Sequence, residues 1–253
     1  IKTNELKILN IDLNSKKIFD IPKKLASKFI KESLDLAHEL ASTKKGYGII
    51  NCSIDKKLLN KKNIGVTEYL SLKCGIKDKS ETMLIFNKEL AVSPITIHDD
   101  LKNISKKITK KKIIIKVKII NKWYKKYYNL KPKIGILGLN PHNAELRKNS
   151  EEKKIIVPAI TDLKKMTINI NGPYVADTFF IKDFKKFDII VGMYHDQVLT
   201  PFKTLYKFNA INITLGLPYI RISPDHGVAK DIIGKNKADT TSLINCLKFI
   251  NSF

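Results

Sequence analysis

Arginine, cysteine, acidic side chains and long apolar runs are all scarce in this chain, and each scarcity excludes something. Of 47 basic residues in 253, only Arg147 and Arg221 are arginine, set against 24 acidic residues. The formal charge of +23 points on electrostatic grounds to nucleic acid. A surface selected to grip phosphates and guanine edges retains arginine forks. This one does not, so the excess lysine reads as solvated surface. The three cysteines, Cys52, Cys74 and Cys246, are odd in number and widely spaced. They form neither a disulfide framework nor a zinc-knuckle pattern and fit a reducing, cytoplasmic setting. No apolar run nears bilayer length, which excludes a spanning helix and a membrane partner. The G-x-G-x-x-G, Walker and G-x-S-x-G signatures are missing too, and with them the usual dinucleotide, nucleotide and serine-hydrolase motifs.

What remains is an ordinary globular composition, 43% hydrophobic and 28% charged, long enough for one large domain or two moderate ones. Short apolar runs alternate with helical patterns, the mark of an α/β fold with a largely parallel sheet. Between Pro22 and Leu40, the residues Leu25, Phe29, Ile30, Leu34, Ala37 and Leu40 share one side of a helix. Strands are expected at Gly46–Ile50, Met83–Phe86, Ile134–Leu139, Phe187–Met193 and Ala210–Leu217. Lys102–Lys133 holds 13 lysines and no acidic residue, with Trp123, Tyr124, Tyr127 and Tyr128 interleaved. That suits a stacking surface for single-stranded nucleic acid. The four-residue repeat of Ile119, Trp123 and Tyr127 fits a helix packed on a core better.

Five histidines are present, and His142 and His195 share one context: each follows a buried apolar run by a few residues. Loops at the carboxyl ends of strands line the ligand crevice of an open α/β sheet. Two imidazoles delivered there suit a shared metal ion; the plain alternative is that each caps a loop. His98, in Ile-Thr-Ile-His-Asp-Asp, is the natural third ligand. His226 lies in a turn-like Pro-Asp-His-Gly stretch, where Gly227 lets backbone approach a ligand closely. Lys203 and Arg221 flank the Ala210–Leu217 run and supply charge for an anionic substrate, Arg221 as a bidentate fork.

Five motifs then resemble one family: Gly138-Leu-Asn-Pro-His142, Asn171-Gly-Pro-Tyr-Val-Ala-Asp-Thr178, Tyr194-His-Asp-Gln197, Asn212-Ile-Thr-Leu-Gly-Leu-Pro218 and Asp225-His-Gly227. They are similar to those of the 4-hydroxythreonine-4-phosphate dehydrogenase (PdxA) family, in order from about Gly48 to the C-terminus. The resemblance implies a two-domain isocitrate/isopropylmalate dehydrogenase-like fold with the active site in the interdomain cleft. It implies residues 1–60 plus 200–253 on the cofactor side and 61–199 on the metal-binding and dimerisation side. The implied activity is NAD- or NADP-linked oxidation of 4-phosphooxy-threonine, then decarboxylation to 3-amino-2-oxopropyl phosphate, in pyridoxal phosphate biosynthesis. The partners so implied are the phosphorylated substrate and a second copy of the chain, which builds the metal site from both subunits; no nucleic acid is expected.

Carried over by motif, the metal ligands fall on His98, His142 and His195, and the ion is zinc, cobalt or, with substrate oxygens completing its shell, magnesium. The substrate contacts fall on Thr67, Lys203, Asn212 and Arg221, with Lys203 also the proton carrier. Asp225, His226 and Gly227 resemble the loop that meets the cofactor's adenosine half. The chain departs from the family pattern in three places. Acidic residues follow His98. Val66 stands where a family histidine precedes Thr67. The family's Pro-(Ile/Val)-(Asn/His)-Lys turn becomes Ser53-Ile-Asp-Lys56. The family also opens on a glycine-rich segment that Ile1 follows, and impaired activity of the chain as written is the expectation from that. A shift toward another phosphorylated hydroxy acid such as erythronate 4-phosphate, or toward dihydrodiol carboxylates, and a scaffold without catalysis are the competing outcomes.

Overall fold

The computed structural model describes residues 7–16, 20–59, 65–76 and 80–252. The expectations attached to Ile1 and to a domain boundary between residues 60 and 61 lie outside them.

The apolar periodicity after Pro22 produces helix α1 (Lys23–Ser42), which leads into strand β1 (Gly48–Ile50). Two short helices, α2 (Lys56–Leu59) and α3 (Val66–Lys73), precede the antiparallel pair β2 (Thr82–Phe86) and β3 (Ala91–Thr96). Then come α4 (Ile104–Lys107), the long α5 (Lys110–Tyr128), β4 (Ile134–Leu137), α6 (Val157–Lys165) and β5 (Ile170–Tyr174). The chain continues through α7 (Ala176–Lys182), β6 (Ile189–Tyr194), α8 (His195–Tyr206), β7 (Ile211–Leu215), β8 (Ile220–Pro224) and α9 (Thr241–Ile250).

Eight strands form one sheet in the order β1-β8-β7-β2-β3-β6-β4-β5. Its two flanks are parallel, β1 with β8 and β3-β6-β4-β5 among themselves, while β8-β7-β2-β3 run antiparallel. The largely parallel sheet expected from the alternation is therefore mixed. Its antiparallel centre comes from the β2–β3 hairpin and from β8, which returns directly beside β7. Antiparallel neighbours need only short connections, whereas parallel ones need a crossover.

Helices cover both faces. Ile113, Val117, Ile120 and Trp123 of α5, Ala159, Ile160 and Leu163 of α6, and Cys246 and Phe249 of α9 pack on one face. Phe179 of α7 and Val198, Leu199 and Phe202 of α8 pack on the other. Each such Val, Ile, Leu or Phe side chain contributes about 1.5–3 kcal/mol by leaving water. The lysine-rich α5 is thus a packing helix, with Ile119 and Tyr127 half-buried against the same core and its lysines mostly on the outer side. The Thr109 hydroxyl caps it by accepting from the Lys112 amide at 3.1 Å, satisfying one of the unpaired N–H groups of the first turn. Among the described residues no helix is long and apolar enough to cross a membrane.

α8 follows β6 without an intervening loop, so His195 sits at the carboxyl end of a central strand. A Cβ at Gly192 would collide with Gln197 and Val198; the bare glycine is what lets the helix start so close. Gln197 then bridges two strand ends. Its carbonyl accepts from the Met193 amide at 2.7 Å and its amide donates to the Gly138 carbonyl at 2.7 Å.

Candidate active site

β8 carries Arg221 into the interior, where only 4% of it is exposed. Its Nε donates to Asn51 Oδ1 at 2.8 Å, and its Nη1 donates to Thr214 Oγ1 at 3.0 Å and Thr67 Oγ1 at 3.3 Å. Burial lowers the guanidinium pKa to about 10, opposed by the Glu68 carboxylate, so the group is cationic at neutral pH. Asn51 directly follows β1, Thr67 lies in the first turn of α3 and Thr214 lies on β7, opposite Arg221 in the antiparallel register. Three elements therefore fix one guanidinium. On the same strand, Asn212 pairs in register with Ser223, and its side-chain oxygen is buried without a hydrogen-bond partner. A buried acceptor left unpaired costs about 1–3 kcal/mol, which marks it as a group awaiting a donor.

Lys203, one α-helical stretch beyond His195 on α8, donates to the Asp225 carbonyl at 3.0 Å and pairs with Asp225 Oδ2 at 3.1 Å. Burial pushes the Asp225 carboxyl above its ordinary value, and Lys203 pulls it back. Beyond Asp225, His226 Nδ1 lies 2.9 Å from the Gly227 carbonyl, and the Ser53 hydroxyl donates to the His226 carbonyl. Asp55 pairs with Lys230 on the same loop. The altered Ser53-Ile-Asp-Lys56 segment thus braces the Asp225–Gly227 loop.

The histidines divide. His98, after β3, and His195, at the head of α8, bring their ring centroids within 6.1 Å. His195 Nδ1 lies 2.6 Å from Asp196 Oδ1, and His98 Nδ1 lies 3.7 Å from Glu68 Oε1. Hydrogen bonding toward His98 holds the Glu68 carboxyl down at about 2 against the opposing effect of burial. Lys56 Nζ stands 3.2 Å from His98 Nε2. His142 is elsewhere: its side chain is 71% exposed, with Asp177 at 3.9 Å and Glu145 at 4.0 Å as its charged neighbours. Among the described residues no three His, Cys, Asp or Glu side chains converge as a metal-holding group.

Two facing imidazoles, each with one nitrogen turned to a carboxylate, have the donor chemistry of a divalent site, because a ligating imidazole commonly presents its other N–H to a carboxylate. In one chain, His98 and His195 offer such a site two donors, and His98 Nε2 is open to a metal only when Lys56 Nζ, at 3.2 Å, moves away from it.

The loop that carries His142 is anchored by Glu152, which is fully buried. Its carboxylate accepts from the Leu139 amide at 2.8 Å, the Asn140 amide at 2.7 Å and the Asn140 side chain at 3.0 Å. From His142 to Leu146 the backbone runs at positive φ for five consecutive residues. Sequence reasoning passed over Asn51, Thr214, Glu68, Glu152 and Gln197. Thr214 and Gln197 lie inside the motifs Asn212–Pro218 and Tyr194–Gln197 and are findable there, and Glu68 directly follows Thr67, whereas Asn51 carries no local signal.

The α/β fold thus gathers a buried arginine, a lysine paired with an aspartate and two neighbouring imidazoles near the ends of its strands. The family described as pyridoxal phosphate biosynthetic protein PdxA matches residues 1–250, and the chain belongs to it. Among similar proteins, a 4-hydroxythreonine-4-phosphate dehydrogenase from Sulfurihydrogenibium sp. is 44% identical over 210 residues, covering 81% of this chain and 64% of the relative. The enzyme of that name from Aquifex aeolicus is 39% identical over 221 residues, covering 85% of this chain and 68% of the relative. The chain therefore spans about two thirds of the length of these relatives. The crystal structure of the Klebsiella pneumoniae 4-hydroxythreonine-4-phosphate dehydrogenase superposes with a TM-score of 0.78 at 28% identity, over 90% of this chain and 70% of that one. The fold is the isopropylmalate dehydrogenase-like α/β arrangement expected from the motifs.

Proposed function

We propose that this protein oxidises 4-phosphooxy-threonine with NAD or NADP and a divalent metal, then releases carbon dioxide to give 3-amino-2-oxopropyl phosphate for pyridoxal phosphate synthesis. The observation that carries the reading is the buried Arg221, fixed by Asn51, Thr67 and Thr214, beside an Asn212 oxygen that lacks a donor. A fixed, desolvated guanidinium binds a phosphate or carboxylate through paired hydrogen bonds, and the Asn212 oxygen accepts from the substrate's amino or hydroxyl group.

Each residue then has a task. Arg221 and Thr67 orient the anionic end of the substrate. Lys203 adds a second charge and, from Nζ, returns a proton to the carbon that loses carbon dioxide. His98 and His195 would hold the divalent ion, with His142 supplied by a second copy of the chain. When bound, that ion withdraws electron density from the reacting hydroxyl oxygen. His226 and Gly227 face the cofactor, which takes the hydride while the protein supplies alignment. The reading puts the cofactor on the side of residues 1–60 plus 200–253, the metal on the side of residues 61–199, and a homodimer in the cytoplasm, where Cys52, Cys74 and Cys246 stay reduced.

The test is reduction of NAD or NADP by the purified protein with a divalent metal, comparing 4-phosphooxy-threonine with erythronate 4-phosphate, and measuring released carbon dioxide. Turnover with carbon dioxide release on the amino-bearing substrate supports the reading. Turnover on the analogue alone transfers the assignment to a phosphorylated hydroxy acid without an amino group. Val66, packed against an apolar cluster that includes Leu70 and Tyr219, favours that second outcome by offering the substrate no polar contact.

A further inference from the structure

The motif resemblance puts Asp225 with the cofactor loop, yet its side chain is turned inward. Only 7% of the residue is exposed, and its Oδ2 has essentially no accessible surface. That oxygen meets Lys203 Nζ at 3.1 Å, and the Asp225 carbonyl accepts from the same ammonium at 3.0 Å. The backbone is fixed from behind. The Asp225 amide donates to Ser242 Oγ at 2.8 Å, and that hydroxyl, on the first turn of α9, donates to the Ala210 carbonyl at 2.5 Å. Ser242 is 1% exposed. A chain of contacts therefore runs from the start of β7 through α9 to Asp225 and ends on Lys203. A ribose hydroxyl reaching Oδ2 would have to take it from the ammonium, breaking a half-buried ion pair.

We propose that Asp225, held by Ser242, is a positioning residue for Lys203 and makes no contact with the cofactor. This rests on the assignment of Lys203 to the reaction. Lysine is a flexible four-carbon stem bearing a point charge, and Phe208, 5.7 Å from the ammonium, offers only a weak second guide. The two Asp225 oxygens define where Nζ rests. Ser242 in turn sets the height of Asp225 above β7.

The experiment uses Asp225→Asn, Asp225→Glu and Ser242→Ala in the full chain, with two readouts. The first is cofactor affinity by titration, alongside kcat and substrate KM at saturating cofactor. Asp225→Asn is expected to lower kcat by about 10–100-fold, less than the roughly 10²–10⁴-fold attributed to a placed proton-transfer group itself, with cofactor affinity within about twofold of the parent. Asp225→Glu restores part of the loss. Ser242→Ala gives a smaller loss of the same kind. The second readout is the rate at which an amine-directed reagent modifies Lys203, followed by peptide mass spectrometry, which needs no turnover. Asp225→Asn and Ser242→Ala both speed that modification severalfold.

A cofactor affinity weakened more than tenfold in Asp225→Asn, with kcat intact, would overturn the proposal. So would an unchanged Lys203 labelling rate in both variants. If the parent protein shows no turnover on any hydroxy-acid phosphate while the labelling rates still respond, the proposed reaction fails and the Asp225–Lys203 contact stands as a structural one. In that case the positioning role is withdrawn.

Discussion

Arg221 Nε and Asn51 Oδ1 lie 2.8 Å apart, joining the first and last strands of the sheet in chain order across a parallel pair. The bond sets the plane of the guanidinium, and Thr67 and Thr214 fix its rotation within that plane. Lysine cannot reproduce a planar fork with donors on separate nitrogens. Arg221→Lys is therefore expected to raise substrate KM and lower kcat/KM by about 10–100-fold, matching the loss of one charged hydrogen bond of about 1.5–3 kcal/mol. Steady-state kinetics in phosphate-free buffer check this. Unchanged kcat/KM would remove Arg221 from the substrate site.

Glu68 stands between the arginine and the imidazoles: it opposes the lowering of the Arg221 pKa and contacts His98 at 3.7 Å. Glu68→Gln keeps the shape and removes the charge that orients the ring. Divalent-metal affinity is expected to fall by about 10–100-fold, as for other groups that orient a ligating imidazole. Titration calorimetry with zinc or cobalt measures it without turnover. The same carboxyl carries an acid signature. Its folded pKa lies near 2 against an ordinary 4.5, so its contribution to stability is complete above pH 4.5 and is lost as pH falls through about 2. Parent and Glu68→Gln melting curves should converge across that window.

What could be read from residues alone follows from how local each signal is. Apolar runs such as Ile189–Tyr194 are strands because nothing else of that length buries so uniformly, and they were legible. β3, β5 and β8 were not. Pro94 sits in the middle of β3, a residue normally confined to sheet edges. Gly172 and Pro173 punctuate β5. Arg221 and Ser223 give β8 a polar look that only the buried hydrogen bonds explain. For the site, motif resemblance brought forward residues that the fold gathers: Thr67 with Arg221, His98 with His195, and Lys203 with Asp225. His142 remains apart from the other two imidazoles within one chain. Asn51 lies 170 residues from Arg221, and side-chain convergence of that kind depends on sheet register, which no local pattern encodes.

Lys116 on α5 is 3% exposed and donates to the Glu81 carbonyl at 3.0 Å. Burial, with Lys112 nearby, lowers its pKa from 10.5 to about 8. Below pH 8 both folded and unfolded states are protonated, and the desolvation cost is carried in full. Between pH 8 and 10.5 the unfolded chain binds more protons, so folding stability rises with pH. Lys116→Met has no such proton to lose. Its thermal stability relative to the parent should decline steadily from pH 8 to 10.5, measured by paired melts. A pH-independent difference would mean that Lys116 titrates normally in the folded state.

The loop bearing His142 holds Glu145 at φ 45°, a left-handed conformation that costs a residue with a Cβ about 1–2 kcal/mol. The Glu145 side chain is 70% exposed, and its contacts to His142 and Arg147 are both 4.0 Å long. Exposed pairs of that kind contribute about 0–1 kcal/mol, so little is lost when the side chain goes. Glycine at this position removes the steric cost but widens the freedom of the unfolded chain, which offsets part of the gain by about 0.4–1 kcal/mol. Glu145→Gly is accordingly expected to stabilise the fold by roughly 0.5 kcal/mol, the difference between those two effects. Glu145→Ala, which retains the Cβ, should give no such gain. Denaturant melts of the two variants side by side separate strain from charge. Equal stabilisation by both would assign the effect to the lost carboxylate and leave the left-handed backbone unstrained.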